Sequence, residues 1–345
     1  MDLIDVAIIG GGPAGLTAAG TLARQLHTAV VFDSGNYRNA KATKMHMVPT
    51  WENKNPRDFR ESARRDIKFQ YSTIQYADIP VTRVEKKNDA HFKIWDGNNK
   101  EWNFKKVLLA VGSSDAYPDI EGYEQLWAKK IYHCLFCHGY EDRGAPSSGV
   151  LAVPPIVVPA LAIHMAENAA QLSDSVTLYT HGNSDLTTQL ATITGNSKFK
   201  VESRRIKHLS GNTGQNSVVV EFEDGSSKVE KFLVHNPQTS VQGPFVSQLG
   251  IALTPMGDIQ ADAPAYQSSV RGVFAAGDCI TPYKVIPGAI SSGCNAAVAA
   301  AGARSNMELR LAWVLMWIVI AIKTARDNSQ GDMNFVDLLN LLSTE

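Results

Sequence analysis

Two cysteines separated by two residues, with a histidine on each side, make up the stretch of this chain best suited to chemistry: His133-Cys134-Leu135-Phe136-Cys137-His138-Gly139-Tyr140-Glu141. A Cys-x-x-Cys pair closes a small ring that opens and re-forms at little strain, which suits a redox centre better than a staple. Histidines titrate near neutrality and can take or return a proton as the thiols change state. His138 is the candidate general base. His133 is a candidate partner for the Cys134 thiolate. The bland alternative for either ring is ordinary hydrogen bonding in a tight loop. The remaining cysteines, Cys279 and Cys294, are read as small structural residues.

A redox pair needs an electron carrier, and the chain opens on a place to hold one. Asp5 to Ile9 is a short apolar run that ends in Gly10-Gly11-Gly12-Pro13-Ala14-Gly15. Leu16 to Leu26 then has helical composition, and Ala29 to Phe32 reads as a second strand ending at Asp33 and Ser34. Strand, glycine turn, helix, strand and acid together form a dinucleotide-binding fingerprint. Gly10 makes the tight turn, Gly12 admits a pyrophosphate against the backbone, and Gly15 lets helix and strand pack closely. The helix N-terminus offers free N–H groups to phosphate. Asp33 lies 18 residues beyond Gly15, where a carboxylate can accept from ribose hydroxyls, as FAD or NAD requires.

Three strand-like runs between Val81 and Val111 suggest a β-meander. Val107 to Val111 then reads as a separate buried parallel strand, with Gly112 at its end allowing close approach to the cofactor. A second βαβ pattern follows: Gly149–Val153, Ala160–Leu172 and Ser175–Tyr179. Its turn, Pro154-Pro155-Ile156-Val157-Val158-Pro159, has no glycine, and its prolines lack the N–H groups that a phosphate cradle uses. Thr180 to Asp185, after the second strand, contains no arginine for a 2′-phosphate. The expectation is a nicotinamide-type domain that has lost its binding chemistry. Near the end, Arg271 to Asp278 is a strand closing on Gly277-Asp278, which would meet the cofactor's ribityl or pyrophosphate region. A helix then begins around Ile286 to Gly293, and Ala289 and Ile290 at its start would face the electron-rich edge of a reduced flavin.

The chain's 345 residues suffice for two domains and a large core, and a net charge of −1 implies no nucleic-acid partner. Four cysteines exclude a disulfide-rich secreted scaffold. The start of the chain lacks signal-peptide features, so a cytoplasmic location is expected. Leu311 to Ile322, LAWVLMWIVIAI, is apolar all round. As a helix it would span roughly 18 Å, short of the roughly 30 Å membrane core. It is read as a buried or dimer-interface helix, with a membrane-surface anchor as the alternative.

These motifs resemble the low-molecular-weight thioredoxin reductases, flavoproteins in which an FAD domain is split around an inserted, CxxC-bearing NADPH domain. Within them, Cys134 to Glu141, His235-Asn236-Pro237, Gly243-Pro244-Phe245 and Gln248-Leu249-Gly250 look like the fungal gliotoxin-type dithiol oxidases. His138 stands where the reductases carry aspartate. The resemblance implies an α/β fold of the pyridine-nucleotide-disulfide-oxidoreductase kind, with a Rossmann-type FAD domain, its β-meander and a degenerate nicotinamide-type domain. The implied layout is an FAD domain from 1–115 and 241–303, the CxxC domain from 116–240, and an atypical tail from 304–345 where the resemblance ends.

It further implies a homodimer in which Cys137 lies beside FAD and Cys134 exchanges with a small, epidithiodiketopiperazine-like dithiol, while O2 accepts the electrons and leaves as H2O2. An NADPH-dependent thioredoxin reductase is the first alternative, and a non-enzymatic dithiol-binding protein is another. The Cys-x-x-Cys-His spelling also matches c-type haem attachment, which would leave both flavin motifs idle. A second set of ligands for zinc is not evident, so no metal is expected. Met45, His46, Met47 and Trp51, between Lys41 and Phe59, are candidates for lining a substrate cleft, with ordinary loop packing equally open.

Overall fold

A computed structural model describes residues 3–302 other than Asn196. The apolar segment expected as a helix over Leu311–Ile322 and the tail from 304 lie outside the described residues.

The chain begins with β1 (Ile4–Ile9), α1 (Pro13–Ala23) and β2 (Ala29–Phe32), with β2 falling on the predicted residues. Next comes α2 (Pro56–Gln70), a charged helix opened by Asn55, whose side chain accepts from the Arg57 N–H, and by proline at its first position. Strands β3 (Ile74–Ala77), β4 (Val81–Asn88), β5 (His91–Asp96) and β6 (Glu101–Leu109) follow. The meander is present as β4-β5-β6, paired antiparallel. The separate strand expected at Val107 is instead the far half of β6. That strand pairs antiparallel with β5 near Phe104 and parallel with β1 from Ile4 to Ile9. One uninterrupted strand serves both because it carries no turn residue, and its buried end, Val107-Leu108-Leu109, has the continuous apolar run of a doubly covered strand.

The chain leaves this sheet through β7 (Ser113–Ala116), passes α3 (Tyr123–Leu126) and β8 (Ile131–Tyr132), and reaches the redox segment at α4 (Leu135–His138). It then forms β9 (Ser148–Leu151), α5 (Pro159–Ala169), β10 (Val176–Tyr179), α6 (Ser184–Thr194) and β11 (Phe199–Glu202). A three-stranded antiparallel sheet follows, β12 (Ile206–Asn212), β13 (Ser217–Phe222) and β14 (Ser227–Glu230), and then β15 (Leu233–Val234). The second main sheet is parallel throughout, in the order β11-β10-β9-β15-β8. Strand β16 (Gln238–Val241) pairs antiparallel with β7, and this two-stranded ribbon carries the chain out and back. After α7 (Phe245–Leu249), β17 (Val273–Ala275) returns to the first sheet beside β6, and α8 (Ile286–Gly302) closes it. The first sheet thus has seven strands, β3-β2-β1-β6-β5-β4 with β17 added at β6.

One face of that sheet buries Ile8, Val31 and Leu108 under α1 and α8; the other buries Ile9, Phe32 and Leu109 against the meander and Phe245. Helices α1 and α8 approach so closely that a Cβ on Gly293 would lie 2.2 Å from the Ala14 carbonyl oxygen. Among the described residues no helix is long and apolar enough to cross a membrane.

Candidate active site

A cleft of about 290 Å³ runs along the carboxyl ends of β1, β2 and β6, where α/β sheets bind ligands. It is lined by the first glycine loop, by Asp33 and Ser34, by Gly112, by Gly277 and Asp278, and by Ala289. The glycine roles separate as the sequence suggests. Gly10 has φ +118° and sits so near the end of β6 that an added Cβ would lie 2.1 Å from the Ala110 oxygen. A Cβ on Gly15 would lie 1.9 Å from the Gly10 oxygen, so Gly15 serves packing and does not line the cleft. A Cβ on Gly12 would meet nothing within 4 Å. Gly12 therefore keeps open the face that a pyrophosphate would approach, beside Pro13, Ala14 and an N-terminus with no side-chain cap. This cradle fits a dinucleotide. Ile290 is a correction. It is half-buried but does not line the cleft, because one step along a helix turns a side chain by about 100° away from Ala289.

The redox segment meets the same cleft. Cys134 and Cys137 are joined in a disulfide with Cα atoms 5.2 Å apart, and the Cys137 N–H points at Cys134 Sγ at 3.1 Å. Of the two, Cys137 lines the cleft, together with His133 and His138. The segment is held from beneath by a buried pair. Lys130 Nζ lies 2.9 Å from both Asp142 oxygens, and the Tyr132 hydroxyl donates to Asp142 at 2.8 Å.

Residues without a motif complete the site. Arg38, in the loop after β2, places Nη2 2.8 Å and Nε 3.1 Å from Asp115 Oδ1 on β7. Its Nη1 reaches His133 Nε2 at 3.2 Å and lies 3.8 Å from Asp278 Oδ2. Guanidinium only donates, so His133 Nε2 must accept and its proton sits on Nδ1. Burial, then the charge of Arg38, hold the His133 pKa well below the ordinary value. Burial likewise raises the Asp278 carboxyl, against the pull of Arg38 and Lys284. Lys284 lines the cleft and is anchored on Asp258 at 2.9 Å and on the Asp278 carbonyl at 2.7 Å. Burial, then the nearby His46, lower the His138 pKa, which keeps this ring a free base at neutral pH. Asp33 accepts from the Tyr37 hydroxyl at 2.5 Å and from the Gly35 N–H at 2.9 Å. Met45, His46 and Met47 line the cleft, whereas Trp51 packs edge-on against Phe59. Cys279 is buried, which pushes its thiol up to about 12, and Cys294 is a half-buried free thiol.

The second βαβ turn has different chemistry. Val157, Val158 and Leu161 are exposed around it, and α5 begins at Pro159 with no side-chain cap. One cation the sequence reading overlooked comes from elsewhere. A Cβ on Gly182, after β10, would lie 2.9 Å from Arg205 Cγ. Its neighbour Arg204 is engaged by Glu202 and Asp224. Among the described residues no group of three or more His, Cys, Asp or Glu is placed to hold a metal ion.

Comparison with known proteins agrees with this architecture. Residues 4–301 match the family model for pyridine nucleotide-disulphide oxidoreductases. Thioredoxin reductase tcpT of Claviceps purpurea is 42% identical over 294 residues, covering 85% of this chain and 91% of the relative. Thioredoxin reductase aclD of Aspergillus oryzae is 42% identical over 299 residues, covering 86% and 95%. Among solved structures, the oxidoreductase from Agrobacterium tumefaciens aligns with a TM-score of 0.76 at 29% identity, over 87% of this chain and 98% of its own. The chain belongs to the pyridine nucleotide-disulphide oxidoreductase family, as a thioredoxin-reductase-like flavoprotein that binds FAD.

Proposed function

We propose that this protein is an FAD-dependent dithiol oxidase that closes a disulfide in a small-molecule dithiol and uses O2 as electron acceptor. The observation that carries this reading is the second βαβ turn. Its prolines lack the N–H donors that NADPH phosphates would need and its exposed valines stand where glycine would admit them, while Cys137 and His138 face the cleft of the first glycine loop. Electrons then enter from a thiol and not from nicotinamide.

In this reading His138, kept neutral by its surroundings, takes the proton of a substrate thiol. The thiolate attacks Cys134 Sγ; the Cys134–Cys137 bond breaks and Cys137 leaves as the thiolate. The substrate's second thiolate attacks the sulfur bonded to Cys134. A cyclic disulfide is released and the protein keeps two electrons on its reduced pair. The first glycine loop, Asp33, Ser34, Gly112, Gly277 and Asp278 would hold FAD, which would supply the two-electron carrier between the reduced cysteine pair and O2, with H2O2 as the product. His133 stays neutral and acts by position, fixing the backbone before Cys134 through Arg38. The reading includes an epidithiodiketopiperazine-like substrate and a homodimer.

One observation favours a reductase instead: Arg205 against Gly182 offers a cation at the end of β10, where a 2′-phosphate could bind. Turnover with a small dithiol in air separates the two. The oxidase reading expects one H2O2 per disulfide formed and no turnover in Cys137→Ser. A Cys137→Ser protein that still turns over would overturn the assignment of this sulfur, and NADPH-driven reduction would favour the reductase.

A further inference from the structure

The proposed reaction frees two protons in a cleft, and His138 can hold only one. The described residues give His138 no hydrogen-bond partner, so the proton it takes must pass elsewhere before the second thiol can ionise. One neighbour is built to accept it. His46 lines the same cleft, and its side chain is only 11% exposed. Its Nδ1 lies 2.5 Å from Glu52 Oε1, and its Nε2 lies 3.3 Å from Glu141 Oε1. Those two carboxylates are 56% and 41% exposed. A nearly buried imidazole is thus flanked on both ring nitrogens by acceptors that reach water. Glu141 also lies three residues beyond His138, and its charge favours the protonated form of that ring.

The loop that carries His46 is held in an unfavourable shape. Met47, Thr50 and Asn53 all have positive φ, at 65°, 69° and 61°. Such backbone persists where surrounding bonds over-determine it, and Glu52 supplies one by accepting from the Met47 N–H at 3.1 Å. Through the same carboxylate, Glu52 joins this loop's backbone to His46.

We infer that His46, between Glu52 and Glu141, is a proton-relay residue that unloads His138 to solvent during attack on the Cys134–Cys137 disulfide. The N–H formed on His138 breaks as its proton passes, directly or through water, to the His46–Glu141 pair. His46 hands the proton to Glu52 or Glu141 and returns to its starting state, with no net redox change. His46 is a positioning and relay group acting through His138. The inference rests on the dithiol reading of the site.

The test compares two reductants of the same disulfide, followed anaerobically by flavin absorbance in the holoenzyme. Dithiothreitol must lose thiol protons to react; a trialkylphosphine has none to lose, because the disulfide takes its electron pair and water then supplies the oxygen of the phosphine oxide and the protons of the two thiols. His46→Gln keeps the hydrogen-bonding shape but cannot titrate. The inference expects it to slow reduction by dithiothreitol roughly tenfold, to leave the phosphine rate unchanged, and to recover speed as imidazole buffer is added. Glu141→Gln should slow the dithiol reaction alone in the same way, which keeps the test open if His46→Gln folds poorly. Equal slowing of both reductants, no slowing, or slowing that added imidazole fails to relieve overturns the relay. Reduction of the flavin by NADPH would sink the oxidase reading without touching this comparison, because both reductants act on the disulfide itself.

Discussion

Replacing Arg38 by alanine should damage the protein far more than an ordinary surface charge deletion. Arg38 and Asp115 are 10% and 5% exposed at their side chains and meet through contacts of 2.8 and 3.1 Å. Two charges out of water depend on each other, so deleting one strands the other. Breaking such a pair costs about 3–5 kcal/mol, whereas exchanging both partners for apolar residues is often nearly neutral. Arg38→Ala also strips the donor from His133 Nε2 and the cation from beside Asp278. The expected loss is therefore about 3 kcal/mol or more, a factor of at least roughly 100 in the folded-to-unfolded ratio. Arg38→Met combined with Asp115→Leu should recover most of it. Urea unfolding of the native protein, Arg38→Met, Asp115→Leu and their double variant, with FAD held in excess and the disulfide intact, gives the coupling energy. A loss below about 1 kcal/mol for Arg38→Ala, or single effects that merely add in the double variant, would refute the claim that this pair fastens the redox segment to the flavin cleft.

Removing His138 should change a pH profile and not only a rate. Burial and His46 hold its pKa below the ordinary 6.5, so the acid limb of the dithiol reaction should fall below that value and vanish in His138→Ala; an unchanged profile would mean another base. Acid stability depends on His235, which accepts from or donates to the Tyr123 hydroxyl at 2.8 Å and is pushed down to about 4 by burial. A depressed histidine contributes fully above its unfolded value near 6.5 and loses that contribution as pH falls toward 4. Between pH 7 and 5 the native protein should therefore lose about 2 kcal/mol more than His235→Gln in urea titrations. The glycine loop gives a contrast. Gly15→Ala forces α1 off β1 and should cost about 1–3 kcal/mol, while Gly12→Ala should unfold at the native temperature without FAD yet retain FAD more weakly on gel filtration.

The parts of the site that were legible are those written as local spacing. The first glycine turn, β2, the CxxC loop and the Gly277-Asp278 strand each declare themselves within a few residues, because one turn or one βαβ unit carries the whole requirement. Helix α2 was missed although Asn55-Pro56 is an N-cap followed by an N1 proline; its charged composition hid the start signal. Strand β6 was split in two because its exposed and buried halves follow different patterns, alternating where one face meets water and continuous where both are covered. Arg38 and Asp115 are 77 residues apart and carry no motif. The fold brings them together, with Arg38 in the loop after β2 and Asp115 on β7 where the chain leaves β6, and Arg205 meets Gly182 because they follow the paired strands β11 and β10. His46 is visible as a cleft candidate, but its two carboxylates, Glu52 and Glu141, lie far apart in the chain, which no spacing rule joins.

The central claim is that electrons enter through a substrate dithiol. Flavin absorbance of the purified protein, recorded without oxygen while NADPH and then a small dithiol are added, tests it most directly. The account predicts no bleaching with NADPH, bleaching with dithiol, and recovery with formation of H2O2 when air is admitted. Rapid bleaching by NADPH would contradict it and make Arg205 part of a working nucleotide site.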